Sequence, residues 1–145
     1  MIDRLEEAHL DTIMGIESAA YAYPWSRRIF LDCLRSGYPG WIYKADGELV
    51  AYAVFVQMID EAHLLNICVR TESRGQGIAR MMMQHLETEC RRRALRSILL
   101  EVRLSNRVAL KIYSDMGFNE IGVRRKYYPA KQGREDALVL AKALV

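Results

Sequence analysis

The chain has 145 residues, 51% hydrophobic and 27% charged, with a formal net charge of +3 at pH 7. This length suits one domain with a substantial core, and so mild a charge does not argue for nucleic-acid binding. The three cysteines have no CxxC or Cys/His spacing, which argues against a disulfide framework and a zinc site. No apolar h-region opens the sequence, and no apolar run approaches the roughly 20 residues that span a membrane. We therefore expect a protein of a reducing cytoplasm, with no membrane partner.

The first part of the chain predicts a strand, two helices and three strands. Residues 1–5 resemble a short edge strand, and apolar residues at helical spacing predict a helix over residues 9–21. Ser26 is a suitable N-cap for a second helix, which ends before Gly37. Three strand patterns follow, and the middle one has apolar residues on both faces, which predicts a central strand. These three patterns cover residues 41–44, 48–58 and 62–69.

Residues 66–90 form the most informative stretch, in which a strand, a polar turn, a glycine-bearing loop and an amphipathic helix follow one another. Gly75 and Gly77 have no side chain to cover the backbone at a helix N-terminus, where the first N–H groups are unpaired. These amides and the helix dipole would suit a phosphate or pyrophosphate. From the glycines alone, a tight strand-to-helix turn without a ligand is equally compatible. The helix itself has one apolar stripe, formed by Ile78, Met82, Leu86 and Cys90.

The remaining sequence predicts a strand over residues 97–103 and a short helix over residues 106–116. Two closing strands are predicted over residues 118–123 and 137–141, linked by a polar segment from 124 to 136. There is no internal repeat and no linker. The order of elements therefore predicts a mixed α/β sheet in one domain.

Two side chains are candidates for chemistry. Glu101 lies in an apolar strand on the same face as Leu99 and Arg103, where pairing with Arg103 or exposure near the strand end would be the more frequent role. Tyr113 follows Asn106 by two helical turns, which places both on one helix face. A phenol with a pKa of about 10 suits an acid that protonates a leaving thiolate, although a core aromatic is the commoner role.

Other catalytic motifs are absent from the sequence. Arg80 stands in place of the last glycine of GxGxxG, and neither GxxxxGK[ST] nor GxSxG occurs. The histidines, His9, His63 and His85, have no ligand spacing. We therefore predict no metal site.

Two sequence blocks together resemble the GCN5-related N-acetyltransferase (GNAT) superfamily. The first is a strand that runs into [QR]xxGx[GA], here RGQGIA at residues 74–79, in which Ala79 stands where many relatives have glycine. The second is LEVRLSNRVALKIYSDMGF at residues 100–118, in which an Asn and a Tyr precede Gly-Phe. The resemblance covers essentially the whole chain. It implies one GNAT domain over residues 1–145, with a mixed, mostly antiparallel central sheet flanked by helices.

Within the superfamily, the chain is similar to the bacterial ribosomal-protein alanine N-acetyltransferases (RimI type). The matching stretches are YPWS, DEAHLLNICV, LEVRLSN, RRKYYP and GREDALVL. This similarity implies transfer of the acetyl group of acetyl-CoA to the N-terminal alanine of a protein, with small-subunit ribosomal protein 18 as the expected substrate. It implies no direct binding of nucleic acid, and we expect a monomer or weak dimer. The alternatives are an acetyltransferase for lysine side chains or small-molecule amines, and a non-catalytic acetyl-CoA-binding interaction module.

The resemblance also assigns roles to residues. Glu101 matches the general base and Tyr113 the general acid of a direct transfer without a covalent acyl-enzyme. We expect partial burial to raise the pKa of Glu101, so that it deprotonates an α-amine directly or through water. Residues 23–25 and 127–129 would frame the peptide slot, with aromatic packing as the alternative. The expected acetyl-CoA contacts are Ile67, Cys68, Val69, Arg74, Gly75, Gln76, Gly77, Ile78, Ala79 and Asn106.

Overall fold

The computed structural model describes residues 1–144, and its strands and helices follow the predicted order. Within these residues, the strands are β1 (Ile2–Arg4), β2 (Gly40–Ala45), β3 (Glu48–Met58), β4 (Glu61–Val69), β5 (Ser97–Arg103), β6 (Asn119–Pro129) and β7 (Arg134–Ala143). The α-helices are α1 (Leu10–Ala20), α2 (Arg27–Arg35), α3 (Ile78–Arg92) and α4 (Arg107–Asp115). The sheet has the strand order β1-β2-β3-β4-β5-β7-β6. The predicted fold class, a mostly antiparallel sheet flanked by helices, is confirmed.

The chain divides into two compact units. The first comprises Met1–Gln57 and Leu64–Leu86, and the second comprises Met58–His63 and the described residues from Glu87 onwards. Among residues 1–144, no helix combines the length and the apolar character that crossing a bilayer requires.

The first unit is built on β1, β2 and β3, which pair antiparallel in chain order. β3 is buried on both faces through its middle, as a central strand should be. The Ser26 hydroxyl accepts a hydrogen bond from the Ile29 N–H at 3.2 Å and caps α2, as the sequence predicted. Helices α1 and α2 bury their apolar faces in one core cluster, whose members include Leu10, Ile13, Phe30, Ile42, Tyr52 and Cys68.

The second unit is organised around β7, which pairs antiparallel with β5 and with β6. β5 alternates strictly between buried and half-buried residues. Its buried residues are Ile98, Leu100 and Val102, and its half-buried face therefore presents Leu99, Glu101 and Arg103 together. Glu101 lies opposite Val139 of β7.

The prediction of a polar connection over residues 124–136 is wrong. β6 extends to Pro129 and β7 begins at Arg134, so only a short turn joins them. The register shifts between Arg124 and Tyr128, and Lys126 has a φ of 52°. Most β6 side chains are exposed, so the strand has no apolar face that a sequence pattern could reveal.

Glu87 joins α3 to β7 within the second unit. Its Oε2 accepts a hydrogen bond from Lys142 Nζ at 2.9 Å, and its Oε1 accepts one from Arg91 at 3.0 Å. Burial alone would raise the pKa of Glu87, but the hydrogen bonds and charges of Lys142 and Arg91 hold it below the ordinary value of 4.5. Such a group stabilises the fold fully above its ordinary pKa, and that stabilisation is lost as the pH falls through the lowered value.

We expect Glu87→Gln to reduce the free energy of unfolding by about 1 kcal/mol near neutral pH. The difference from the unsubstituted protein should shrink as the pH falls below the ordinary carboxyl pKa of 4.5, since the native carboxylate is then being protonated. Urea unfolding over a series of pH values measures both effects. A difference that stays constant down to about pH 3 would contradict the assignment.

Candidate active site

The glycine-bearing loop lies between β4 and α3 in the first unit. After β4 the chain makes a 3₁₀ turn at Thr71–Ser73 and then runs through residues 74–77, all exposed, into α3. Gly75 and Gly77 have φ angles of 78° and 77°. A Cβ added at either position would meet no atom within 4 Å. The glycines are therefore required by the left-handed backbone and not by a close neighbour.

The backbone amides of this loop are suited to binding an anion. The N–H groups of Gly75, Gly77 and Ile78 donate no backbone hydrogen bond among the described residues. The first bond into the helix runs from the Met81 N–H to the Gly77 carbonyl at 3.0 Å. Backbone donors at a helix N-terminus, with the positive end of the helix dipole, are suited to a phosphate group.

The end of β4 is held close to this loop by side chains of the same unit. The Val69 carbonyl accepts a hydrogen bond from Arg74 Nε at 3.3 Å, and the Ile67 carbonyl accepts one from the Tyr21 hydroxyl at 2.9 Å. Cys68 between them is buried, and burial raises the pKa of its thiol above 9.0. A protonated, buried thiol is a poor nucleophile.

Glu101 in the second unit is held between two basic side chains. Its Oε2 lies 2.5 Å from His63 Nε2, and its Oε1 accepts a hydrogen bond from Arg124 Nε at 3.0 Å. Only 7% of the Glu101 side chain is exposed. Arg103, which the sequence offered as an alternative partner, instead bonds to Glu135 at 3.2 Å.

The pKa of Glu101 is lowered, so the expectation of a raised pKa is wrong. Burial does act to raise it, but the interaction with His63 and the hydrogen bond and positive charge of Arg124 outweigh the cost of burial. The side chain is therefore an ionised acceptor of hydrogen bonds at neutral pH. Neither partner was recognised in the sequence, because His63 has no motif spacing and Arg124 lies in the segment predicted as a connection.

Tyr113 and Asn106 lie on α4 in the second unit. Tyr113 is 7% exposed and packs edge-on against Phe118, with ring centroids 5.7 Å apart. Burial raises the pKa of its phenol above the ordinary value of 10.0. The hydroxyl donates no hydrogen bond to the residues described, 1–144. The Asn106 Oδ1 caps α4 by accepting from the Ala109 N–H at 3.2 Å, and the amide NH₂ group takes no part in this cap.

Two tyrosines of β6 complete the surroundings of Glu101. The rings of Tyr127 and Tyr128 pack edge-on with centroids 4.9 Å apart, and the Arg103 guanidinium lies 4.5 Å from the centre of the Tyr128 ring. Burial and the negative charge of Glu101 raise the pKa of Tyr128 to about 12. The half-buried face of β5 and the end of β6 thus form a cluster of carboxylate, cationic and phenolic groups.

Among the described residues, no group of three or more His, Cys, Asp or Glu side chains is arranged to hold a metal ion. The expected contacts from Ile67 to Ala79 belong to the first unit, whereas Glu101, Asn106 and Tyr113 belong to the second. One buried carboxylate, Glu17 of α1, was missed in the sequence. Its position four residues after Ile13, on the apolar stripe of the helix, was the available signal.

Comparison with known proteins identifies the family of this chain. Residues 5–118 match the model of the acetyltransferase (GNAT) family. The chain is 38% identical over 140 residues to the [ribosomal protein bS18]-alanine N-acetyltransferase of Escherichia coli K12, a match that covers 97% of this chain and 95% of that protein. The protein of the same name from Haemophilus ducreyi is 34% identical over 142 residues, covering 97% and 98%.

The fold is also similar to that of solved structures. The crystal structure of the ribosomal-protein-S18-alanine N-acetyltransferase from Escherichia coli superposes with a TM-score of 0.94 at 37% identity, covering 99% of this chain and 93% of that one. Ard1 from Thermoplasma volcanium gives a TM-score of 0.90 at 21% identity, covering 100% and 97%, and shows the shared fold alone. The family match and the full-length relatives together show that this chain belongs to the GNAT family of acetyltransferases and is an acyltransferase that uses acetyl-CoA.

Proposed function

We propose that the protein transfers the acetyl group of acetyl-CoA to the N-terminal alanine of a protein, with ribosomal protein bS18 as its substrate. Relatives that match 97% of the chain carry that activity in their names. The observation that carries the chemistry is Glu101, a nearly buried carboxylate kept ionised by His63 and Arg124. We propose that residues 1–145 act as one domain in the cytoplasm, without a membrane or nucleic acid as partner.

The loop of residues 74–79 supplies the site proposed for the pyrophosphate of acetyl-CoA. The N–H groups of Gly75, Gly77 and Ile78 support this role, because they have no backbone acceptor among residues 1–144. The pantetheine arm pairs with the backbone of Ile67, Cys68 and Val69 as an added strand. The Asn106 amide NH₂ donates a further hydrogen bond to the cofactor.

Glu101 and Tyr113 perform the two proton transfers in this proposal. The amine nitrogen bonds to the acetyl carbonyl carbon, and its proton passes to Glu101 directly or through water. The C–S bond breaks, and Tyr113 protonates the departing thiolate. An α-amine has a pKa of about 7.7–8.0, so much of it is already neutral near pH 8 and needs only a weak base. This suits Glu101, whose lowered pKa makes it weak.

The glycine loop gives a direct test of the cofactor site. We expect Gly77→Ala to raise the Kd of acetyl-CoA about 5- to 30-fold, because alanine at a φ of 77° costs about 1–2 kcal/mol or displaces the loop. Gly77→Asn should have a smaller effect, since asparagine tolerates this conformation. Isothermal titration with acetyl-CoA measures both.

Gly15 provides the matched control, because it also has open space around its missing Cβ but lies inside α1 without a positive φ. Gly15→Ala should leave the Kd unchanged and raise the free energy of unfolding by up to about 1 kcal/mol. Equal Kd values for Gly77→Ala and Gly15→Ala would remove the loop from the proposed site.

A peptide panel tests the function itself. The protein is incubated with acetyl-CoA and peptides of one sequence that begin with alanine, that carry an internal lysine behind a blocked N-terminus, or that have no free amine. Mass spectrometry with fragmentation should place one acetyl group on the α-amine of the alanine peptide. Acetylation on lysine alone would favour the side-chain alternative, and no acetylation of any amine would favour a binding module.

A further inference from the structure

Glu17 is a buried carboxylate that the proposed chemistry does not use. It lies on α1 and is only 1% exposed. Three donors converge on it, all within the first unit. Its Oε1 accepts from the Tyr52 hydroxyl at 2.5 Å and from Asn66 Nδ2 at 3.1 Å. Its Oε2 accepts from the backbone N–H of Trp25 at 2.9 Å.

Only an acceptor with two oxygens satisfies this arrangement. A buried carboxylate is costly unless hydrogen bonds replace its water, and here they do. Burial, with Cys68 and Glu17 nearby, raises the pKa of Tyr52, so the phenol keeps its proton and remains a donor. An apolar side chain at position 17 would leave the Trp25 N–H and the Asn66 amide without their acceptor.

These contacts fix the segment between α1 and α2, residues 21–25, which we call the anchor loop. At its start, the Tyr21 backbone N–H donates a hydrogen bond to the Glu17 carbonyl at 3.1 Å. The Tyr21 hydroxyl donates a second hydrogen bond, to the Ile67 carbonyl. At its end, the Trp25 N–H is held by the Glu17 carboxylate, and the Trp25 ring packs edge-on against Phe30 with centroids 5.1 Å apart. Trp25 is therefore partly a packing residue.

Tyr23, in the middle of the anchor loop, projects outward with 46% of its surface exposed. The loop is thus fixed at both ends and presents an aromatic side chain between them. The Tyr21 hydroxyl donates to the Ile67 carbonyl, and this bond connects the anchor loop to the strand on which acetyl-CoA is proposed to lie. The loop therefore presents an exposed aromatic side chain beside the strand on which acetyl-CoA is proposed to lie.

We propose that Glu17 is a positioning residue that holds the anchor loop in the conformation that binds the acceptor peptide. It therefore sets the affinity for the first residues of the peptide and not the affinity for acetyl-CoA. This inference rests on the proposed peptide acetyltransferase activity. Because Glu17 is buried, it acts through the Trp25 N–H and not by touching the substrate.

Glu17→Gln tests the proposal without changing side-chain volume. Glutamine must turn its NH₂ group toward at least one of the three donors, so the loop loses a fixed end. We expect the KM for an alanine-starting peptide to rise about tenfold, with kcat and the Kd of acetyl-CoA within twofold. Glu17→Asp, which keeps both oxygens, should restore part of the peptide affinity.

Ile13→Val is the matched control, because Ile13 is fully buried on the same helix and belongs to the core cluster that includes Tyr52. It should lower the melting temperature without changing the peptide KM. Equal increases in KM for Glu17→Gln and Ile13→Val at equal loss of stability would overturn the proposal. So would a rise in the Kd of acetyl-CoA that matches the rise in peptide KM.

Tyr23→Ala keeps the proposal testable if Glu17→Gln does not fold, because Tyr23 is half exposed. Its peptide KM should also rise, and an unchanged value would overturn the role of the anchor loop. Acetylation of alanine peptides by the unsubstituted protein, together with an unchanged KM in these variants, would remove this inference alone. No acetylation of any peptide would remove the proposed function and the inference with it.

Discussion

Glu101→Gln is expected to lower kcat/KM for an alanine-starting peptide by about 10²–10⁴-fold while the Kd of acetyl-CoA stays within twofold. Glutamine has the same shape as glutamate but cannot take the proton of the attacking amine. Glu101 is nearly buried and bonded to His63 and Arg124, so the substitution removes an acceptor that water does not readily replace. Initial rates by thiol release, with calorimetry for acetyl-CoA, give the two quantities.

Glu87→Gln is the matched control for this variant. Glu87 is also a carboxylate of the second unit with two basic partners and a lowered pKa, but it lies outside the proposed site. It should lose stability and keep its kcat/KM. If Glu101→Gln retained more than about a third of the kcat/KM, a general-base role for Glu101 would be untenable.

Tyr113→Phe is expected to lower kcat by about 10²–10³-fold with little change in acetyl-CoA affinity or melting temperature. The pKa of Tyr113 is raised by burial, so its phenol is fully protonated at the working pH and available to the leaving thiolate. Its hydroxyl makes no hydrogen bond to residues 1–144, so phenylalanine removes the acid without breaking a structural contact. A loss of kcat without a loss of melting temperature would indicate a chemical role for Tyr113.

Single-turnover rates and thermal melting, measured on the same preparations, test this expectation. Ile98→Val, a fully buried substitution in β5 of the same unit, should show the reverse behaviour, with lowered stability and an unchanged kcat. An unchanged kcat in Tyr113→Phe would assign the proton to another donor. Tyr128 would then be the next residue to substitute.

Much of the fold could be predicted from the sequence, because its helices and central strands carry periodic apolar residues. The stripe of α3 and the two apolar faces of β3 are buried as expected. β6 could not be predicted beyond its first residues. Its side chains are mostly exposed, and backbone pairing with β7 holds it, whereas an apolar pattern reports only burial.

The candidate site was predictable in its residue types and less so in its electrostatics. The alternation of β5 placed Glu101 on a half-buried face, but the direction of its pKa shift depends on His63 and Arg124, which lie 38 and 23 residues away in the chain. Hydrogen bonds between such distant residues leave no periodic signal. The same is true of Glu17, whose partners come from β3, β4 and the anchor loop.

The position of β7 in the sheet has a consequence for synthesis on the ribosome. β7 is the last of the described strands in the chain, yet it lies between β5 and β6. While the chain is being translated, β5 and β6 therefore have no common neighbour until β7 has left the exit tunnel. The backbone partner of Glu101, Val139, arrives with it. The second unit should consequently remain protease-sensitive in nascent chains that stop before residue 134 and become resistant once β7 is released.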